Sequence, residues 1–194
     1  MSGSGDFAFH SWVDESMHVA AGLYILAAVV CDPGGCDPIR DTMRSLLDEG
    51  QPKLHWSGES PDRKEKIVGT VAQIDIAAVV VIGTPMAKKN QERARAVCME
   101  SMVVALTAMG VEQVLLEERT PSLNERDQLL IRSIRGKKLI PKAMRIEVGQ
   151  PSAEPMLWVP DIVAGAVGAD RVHDLPQYLD AIRPMVEVLD VPLR

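Results

Sequence analysis

The run Ile76-Ala77-Ala78-Val79-Val80-Val81-Ile82-Gly83-Thr84 constrains this chain more than any other stretch. It is apolar on both faces, so neither face is left for water. A strand of that kind belongs in the middle of a sheet covered on both sides. The rest of the chain can supply the cover. At 194 residues, 46% of them apolar, it has enough for a proper core. Aromatic residues are few and Met is common, so that core is mostly aliphatic.

Taken in order, Phe9 to Ser16 reads as a short first strand whose alternate residues face opposite ways. It ends on Asp14-Glu15 rather than on a turn residue. The apolar run Val19 to Val30 reads as a second strand pairing back on the first. After Gly34-Gly35, Asp37-Pro38 starts a helix with Ile39, Met43, Leu46 and Leu47 at helical spacing, closed by Gly50. Lys53-Leu54-His55-Trp56 is a short candidate strand. Ser60 and Pro61 then open a helix striped by Ile67, Val71 and Ile74.

A long helix is predicted from about Asn90 to Met109, stopped by Gly110. Val114 to Arg119 is a strand ending on acids, and a helix follows it to Gly136. Met144 to Val148 is one more strand, and Leu157 to Ala169 a helix rich in small residues. Gln177 to Val188 reads as a last helix, interrupted at Pro184. A hairpin followed by alternating helices and strands predicts an α/β domain with a mixed central sheet. Residues 6–194 are expected to form one domain. Met1 to Gly5 is expected to be a flexible leader or an expression remnant.

Several function classes drop out. No apolar run reaches the length of a transmembrane helix, so no membrane partner is expected. Three cysteines with no secretory signal point to a reducing cytoplasm. Cys31 and Cys36 frame a loop but lack a second Cys/His pair at zinc spacing. Val81 to Pro85 with Lys88-Lys89 lacks the glycine pattern of a phosphate-binding loop. No Gly-x-Ser-x-Gly elbow is present. A net charge of −6 argues against a uniformly basic surface, yet an acidic protein can still carry a basic groove.

The acids at element ends carry the functional reading. Asp14 closes the first strand, Glu117 and Glu118 close a later one, and Asp161 lies near the start of the small-residue helix. Strand-end acids on adjacent strands can meet at one rim, and a helix crossing that rim adds a third. Such a cluster repels itself unless a divalent cation holds it. Strand alternation sends Asp14 and Glu15 to opposite faces, and likewise Glu117 and Glu118, so one of each pair should reach the site. Gly165, Gly168 and Ala169 lie one and two turns beyond Asp161 and leave that face without bulk. The plainer alternatives are a turn cap for Asp14, a first-turn helix acid for Asp161, and solvated strand ends facing Arg119 for the two glutamates.

Three motifs, Asp14-Glu15-Ser16, Glu117-Glu118-Arg119 and Pro160-Asp161-Ile162-Val163-Ala164-Gly165, resemble a widespread uncharacterised bacterial and phage family. Its hallmark is an N-terminal Asp-Glu-Ser-Gly. It is grouped with the RNase H-like (integrase-like) superfamily of metal-dependent nucleases. The resemblance spans roughly Ser11 to Ala169 and departs at Met17, where Gly is usual. It implies an RNase H-like fold, with Asp14, Glu117 and Asp161 as catalytic, metal-binding acids for Mg²⁺ or Mn²⁺. Glu15, Glu118 and His55 are additional candidates, and the resemblance includes a His near position 55. Lys137, Lys138, Lys142 and Arg145 form a basic cluster that could track a phosphate backbone. The leading expectation is a metal-dependent nuclease acting on DNA or RNA. The alternative is a non-catalytic RNase H-like module that binds a partner or assembles as a homo-oligomer.

Overall fold

A computed structural model describes residues 8–193. The leader expected at residues 1–5 lies outside the described residues. Six strands form one sheet in the order β5-β4-β1-β2-β3-β6. They are β1 (Phe9–His18), β2 (Leu23–Cys31), β3 (Ala77–Thr84), β4 (Val111–Glu117), β5 (Arg145–Gly149) and β6 (Val186–Pro192). β2 runs antiparallel to both of its neighbours, β1 and β3. β4 is parallel to β1, β5 to β4 and β6 to β3. The mixed α/β sheet expected from the sequence is the one found.

Helices cover both faces. On one side lie α1 (Cys36–Ser45), α2 (Pro61–Val71), α5 (Trp158–His173) and α6 (Gln177–Ile182), packed on Trp12, Ile25, Ala27, Val29, Val80 and Ile82. On the other lie α3 (Gln91–Ala108) and α4 (Pro121–Gly136), packed on Val13, Leu26, Ala28, Val79, Val81 and Leu116. Successive residues of one strand divide between these two cores, as a period of two requires. β3 is apolar on both faces because it feeds both.

Four sequence expectations need correction. β1 does not stop at the acids but runs on to His18, so Asp14 and Glu15 lie inside a strand. Their pairing with Ala27 and Leu26 of β2 satisfies the backbone there and lets the strand continue. β2 starts at Leu23 rather than Val19. Residues 19–21 form a tight turn, and Gly22 adopts φ 67°, a left-handed conformation that favours glycine. Lys53 to Trp56 is loop leading into a 3₁₀ turn, not a strand.

The last correction is the largest. The final helix ends at Ile182, and Val186–Pro192 is a sixth strand. Pro184 breaks the helix, and β3 offers an open edge onto which Val186, Val188 and Leu189 pair beside Ala78, Val80 and Val81. Pairing with a distant strand outweighs a local helical pattern.

Candidate active site

β1 and β4 bring the first two acids together. Their parallel register pairs Val13 with Leu116, and the next step sets Asp14 beside Glu117. Adjacent strands lie about 4.8 Å apart. Trp12 and Leu115 pack on the α5 side of the sheet, so Asp14 and Glu117, two residues further along, face that side too. α5 crosses there and supplies Asp161 from its first turn.

Charge links the three at Asp14. Burial, then the charges of Glu117 and Asp161, push the Asp14 carboxyl well above the usual carboxylate range. The Glu117 carboxyl is raised by burial, with Lys53 opposing and Asp161 adding to the rise. Among the described residues Asp14 has no ion-pair partner; one of its oxygens accepts the Glu15 N–H at 2.7 Å.

The other two acids are engaged. Glu117 Oε1 lies 3.7 Å from Lys53 Nζ. Asp161 Oδ2 accepts the Trp56 backbone N–H at 2.8 Å and lies 3.2 Å from His55 Nδ1. That hydrogen bond raises the His55 imidazole above its ordinary range against the lowering effect of burial. Asp14, Glu117, Glu118 and His55 line a cavity of about 240 Å³.

The small face of α5 has a specific use. A Cβ at Gly165 would run into the indole of Trp56, and one at Gly168 into the imidazole of His18. The missing side chain at 165 therefore seats Trp56, whose N–H holds Asp161. Trp56 is fixed further by Tyr178, edge-on at 5.2 Å between centroids, and by Lys64 at 5.0 Å over the ring.

Glu15 faces the other way, as alternation requires. It bonds to the Tyr24 hydroxyl and to Arg95, and Arg119 Nε lies 3.1 Å from it. Arg95 also makes a two-pronged pair with Asp127, 2.7 Å on each arm. Arg119 continues to Glu92 at 2.5 Å and Asp127 at 3.4 Å. Arg119 thus serves this opposite face and does not pair with Glu117. Glu118, just past β4, is exposed.

This network was not anticipated from the sequence. A signal existed: Arg95 stands on the same helical stripe as Cys98 and Met102, and Asp127 on that of Leu130 and Ile134. A charge on each of two apolar stripes is a mark of buried pairing. Lys53 gives no local signal either, because only folding of the loop brings it to Glu117.

The basic cluster lies elsewhere. Arg145 pairs with Gln113 and Gly149 with Glu117, so Arg145 is four residues, about 13 Å, from the acids along the sheet. Lys137 and Lys138 follow the far end of α4, and Lys137 pairs with Glu100.

Three carboxylates are the donor chemistry that a hard divalent cation takes. Asp14, with no cation beside it, fits that role. Among the described residues, however, no three His, Cys, Asp or Glu side chains are arranged to hold a metal ion as they stand. Glu117 and Asp161 are turned to Lys53, His55 and the Trp56 N–H instead.

Antiparallel β3-β2-β1 extended by parallel β4-β5, with helices on both faces, defines the RNase H-like fold class. A solved structure similar to this chain is RNase HII from Archaeoglobus fulgidus, described in complex with PCNA. The match has a TM-score of 0.59 and 16% sequence identity, covering 86% of this chain and 76% of that one. At that identity the likeness is one of fold. No protein-family model and no curated protein matches the chain. Among the described residues no helix is long and apolar enough to cross a membrane.

Proposed function

We propose that this chain is a divalent-metal-dependent nuclease that hydrolyses phosphodiester bonds of DNA or RNA. One observation carries the reading: carboxylates from β1, β4 and α5 converge on one side of an RNase H-like sheet, where burial and the charges of Glu117 and Asp161 push the Asp14 carboxyl up. Repulsion of that kind is costly in a bare protein and is relieved by a cation. Asp14, Glu117 and Asp161 would hold Mg²⁺ or Mn²⁺, which when bound would activate water and stabilise the leaving oxygen.

The chain's own residues contribute the rest. Asp161 orients His55, whose exposed ring can hold or release a proton beside the acids. Lys53 offsets charge on Glu117 and can turn to a phosphate oxygen. The Trp56 N–H keeps Asp161 aimed across α5.

The test is cleavage of single- and double-stranded DNA and RNA with Mg²⁺, with Mn²⁺ and with chelator. Activity that needs metal and is lost in Asp14→Asn supports the reading. A second reading, a non-catalytic binding or oligomerisation module, is favoured by the engagement of Glu117 and Asp161 with protein partners. Absence of cleavage under every metal condition would select it.

A further inference from the structure

We infer that the nucleic-acid backbone leaves the acids over Glu15 and Arg119 and is gripped by Lys88 and Lys89, not by the basic cluster at residues 137–145. The inference rests on the nuclease reading for its ligand class and adds the path and the contacts. The cavity that holds Asp14 and Glu117 does not end at the acids. Glu15, Met17 and Arg119 form one of its walls and also line a second, more open hollow of about 510 Å³. Lys88, Lys89 and Gln91 line the far side of that hollow. The two spaces adjoin at those shared residues, along the part of β1 beyond Val13, its last pairing with β4.

Charge along this groove is unevenly compensated. Beyond Asp14 and Glu117, its acids Glu15 and Glu92 are each paired with arginine, Glu15 to Arg95 and Arg119 and Glu92 to Arg119, and exposed Glu118 stands beside Glu117 at the acid end. Lys88 and Lys89 are exposed, and among the described residues neither has an ion-pair partner. The groove's uncompensated cations therefore lie at one end, with the acids at the other. Lys53 and His55 stand against Glu117 and Asp161 themselves, so Lys53, joined by His55 when it is protonated, adds positive charge beside the cleavage position.

A phosphodiester backbone is the ligand that such spacing suits: repeated single negative charges, one at the acids and others beyond them. The 137–145 cluster cannot share this path, because Arg145 is about 13 Å down the sheet from Glu117 and Lys137 is already paired with Glu100.

Fluorescence anisotropy with labelled single-stranded DNA, single-stranded RNA and the two matching duplexes, in chelator and over a salt series, tests this. Lys88→Gln/Lys89→Gln is compared with the parent and with Lys137→Gln/Lys138→Gln. All four positions are exposed or nearly so, so each variant should fold, and circular dichroism checks it. The 88/89 variant is expected to bind several-fold more weakly, with a salt slope shallower by about 1.4 on single strands or about 1.8 on duplexes. The 137/138 variant should keep the parent slope. The preferred probe identifies the backbone as DNA or RNA, single or double.

Parental slope and affinity in the 88/89 variant would overturn the groove, as would an equal loss in the 137/138 variant or no binding of any probe by the parent. Cleavage with Mg²⁺ and Mn²⁺ is measured alongside. A parent that cleaves while the 88/89 variant binds normally loses the groove and keeps the nuclease. A parent that binds through Lys88 and Lys89 but never cleaves keeps the groove and loses the nuclease.

Discussion

Asp14 couples the site to pH. Its carboxyl is held well above the ordinary value by burial and by Glu117 and Asp161, so the folded chain binds that proton more tightly than the unfolded chain. Stability through this group then falls as pH rises from the unfolded value, near 3.8, through the raised folded one. Asp14→Asn removes that loss. In chelator at pH 7 the variant is expected to melt higher than the parent, and the gap should close below about pH 4. A variant no more stable at pH 7 would mean that Asp14 is not strained by its neighbours. Asp161→Asn probes a different link. His55 is raised chiefly by its bond to Asp161, so it adds stability that is fully present below 6.5 and lost as pH rises through the folded value. In Asp161→Asn the His55 midpoint, followed by NMR, should drop towards 6.5. Added Mg²⁺ or Mn²⁺ should raise the parent's stability by about 2.7 kcal/mol at a hundred times Kd, and by less in the variant. An equal metal gain in both would remove Asp161 from the ligand set.

The face of β1 opposite Asp14 is held by charge rather than by apolar packing alone. Glu15 on β1, Tyr24 on β2, Arg95 on α3, Arg119 beyond β4 and Asp127 on α4 form one hydrogen-bonded network. Arg95 and Asp127 side chains are 4% and 3% exposed, so neither charge can turn to water. The network ties the neighbour of Asp14 to the loop that follows Glu117, and so sets where the two acids stand. Arg95→Met leaves Asp127 and Glu15 short of their partner and is expected to cost about 3–5 kcal/mol. Adding Asp127→Leu should restore part of that, since an apolar pair of similar volume replaces a buried ion pair at little loss. Urea melts of the four proteins in the cycle should give a coupling above about 1 kcal/mol. Additivity within about 0.5 kcal/mol would show that the pair acts as two separate charges.

β6 closes the molecule on the side away from the acids. Its seven residues pair along the outer edge of β3 from Ala78 to Thr84. A chain ended at Met185 would leave Ala78 to Thr84 as a long apolar edge, the geometry most prone to pairing with other chains. Such a truncation is expected to lower the melting temperature by roughly 10 °C or more, several kcal/mol for a protein of this size, and to aggregate in size-exclusion chromatography. An equally stable monomer would mean that β3 does not depend on that pairing.

Elements whose character is written in neighbouring residues were legible without the fold. The two-faced apolar run of β3, the glycine-stopped α3 and α4, and the small face of α5 each follow from local spacing and turn chemistry, and with the hairpin they identify a mixed α/β sheet. Strand alternation alone also separates Asp14 from Glu15. What sequence could not decide was long-range. Val186 to Val188, the start of β6, reads as the end of a helix begun at Gln177; only the open edge of β3 makes it a strand. Asp14 reads as a strand end because two acids follow an apolar run; the partner strand and the Arg95–Arg119 network let the strand pass through them. Lys53, His55 and Trp56 reach the acids from an irregular loop, which has no period to read. Pairing register and the meeting of charges across 27 to 106 residues are decided by which edges and faces remain open once the chain collapses, and no local window contains that information.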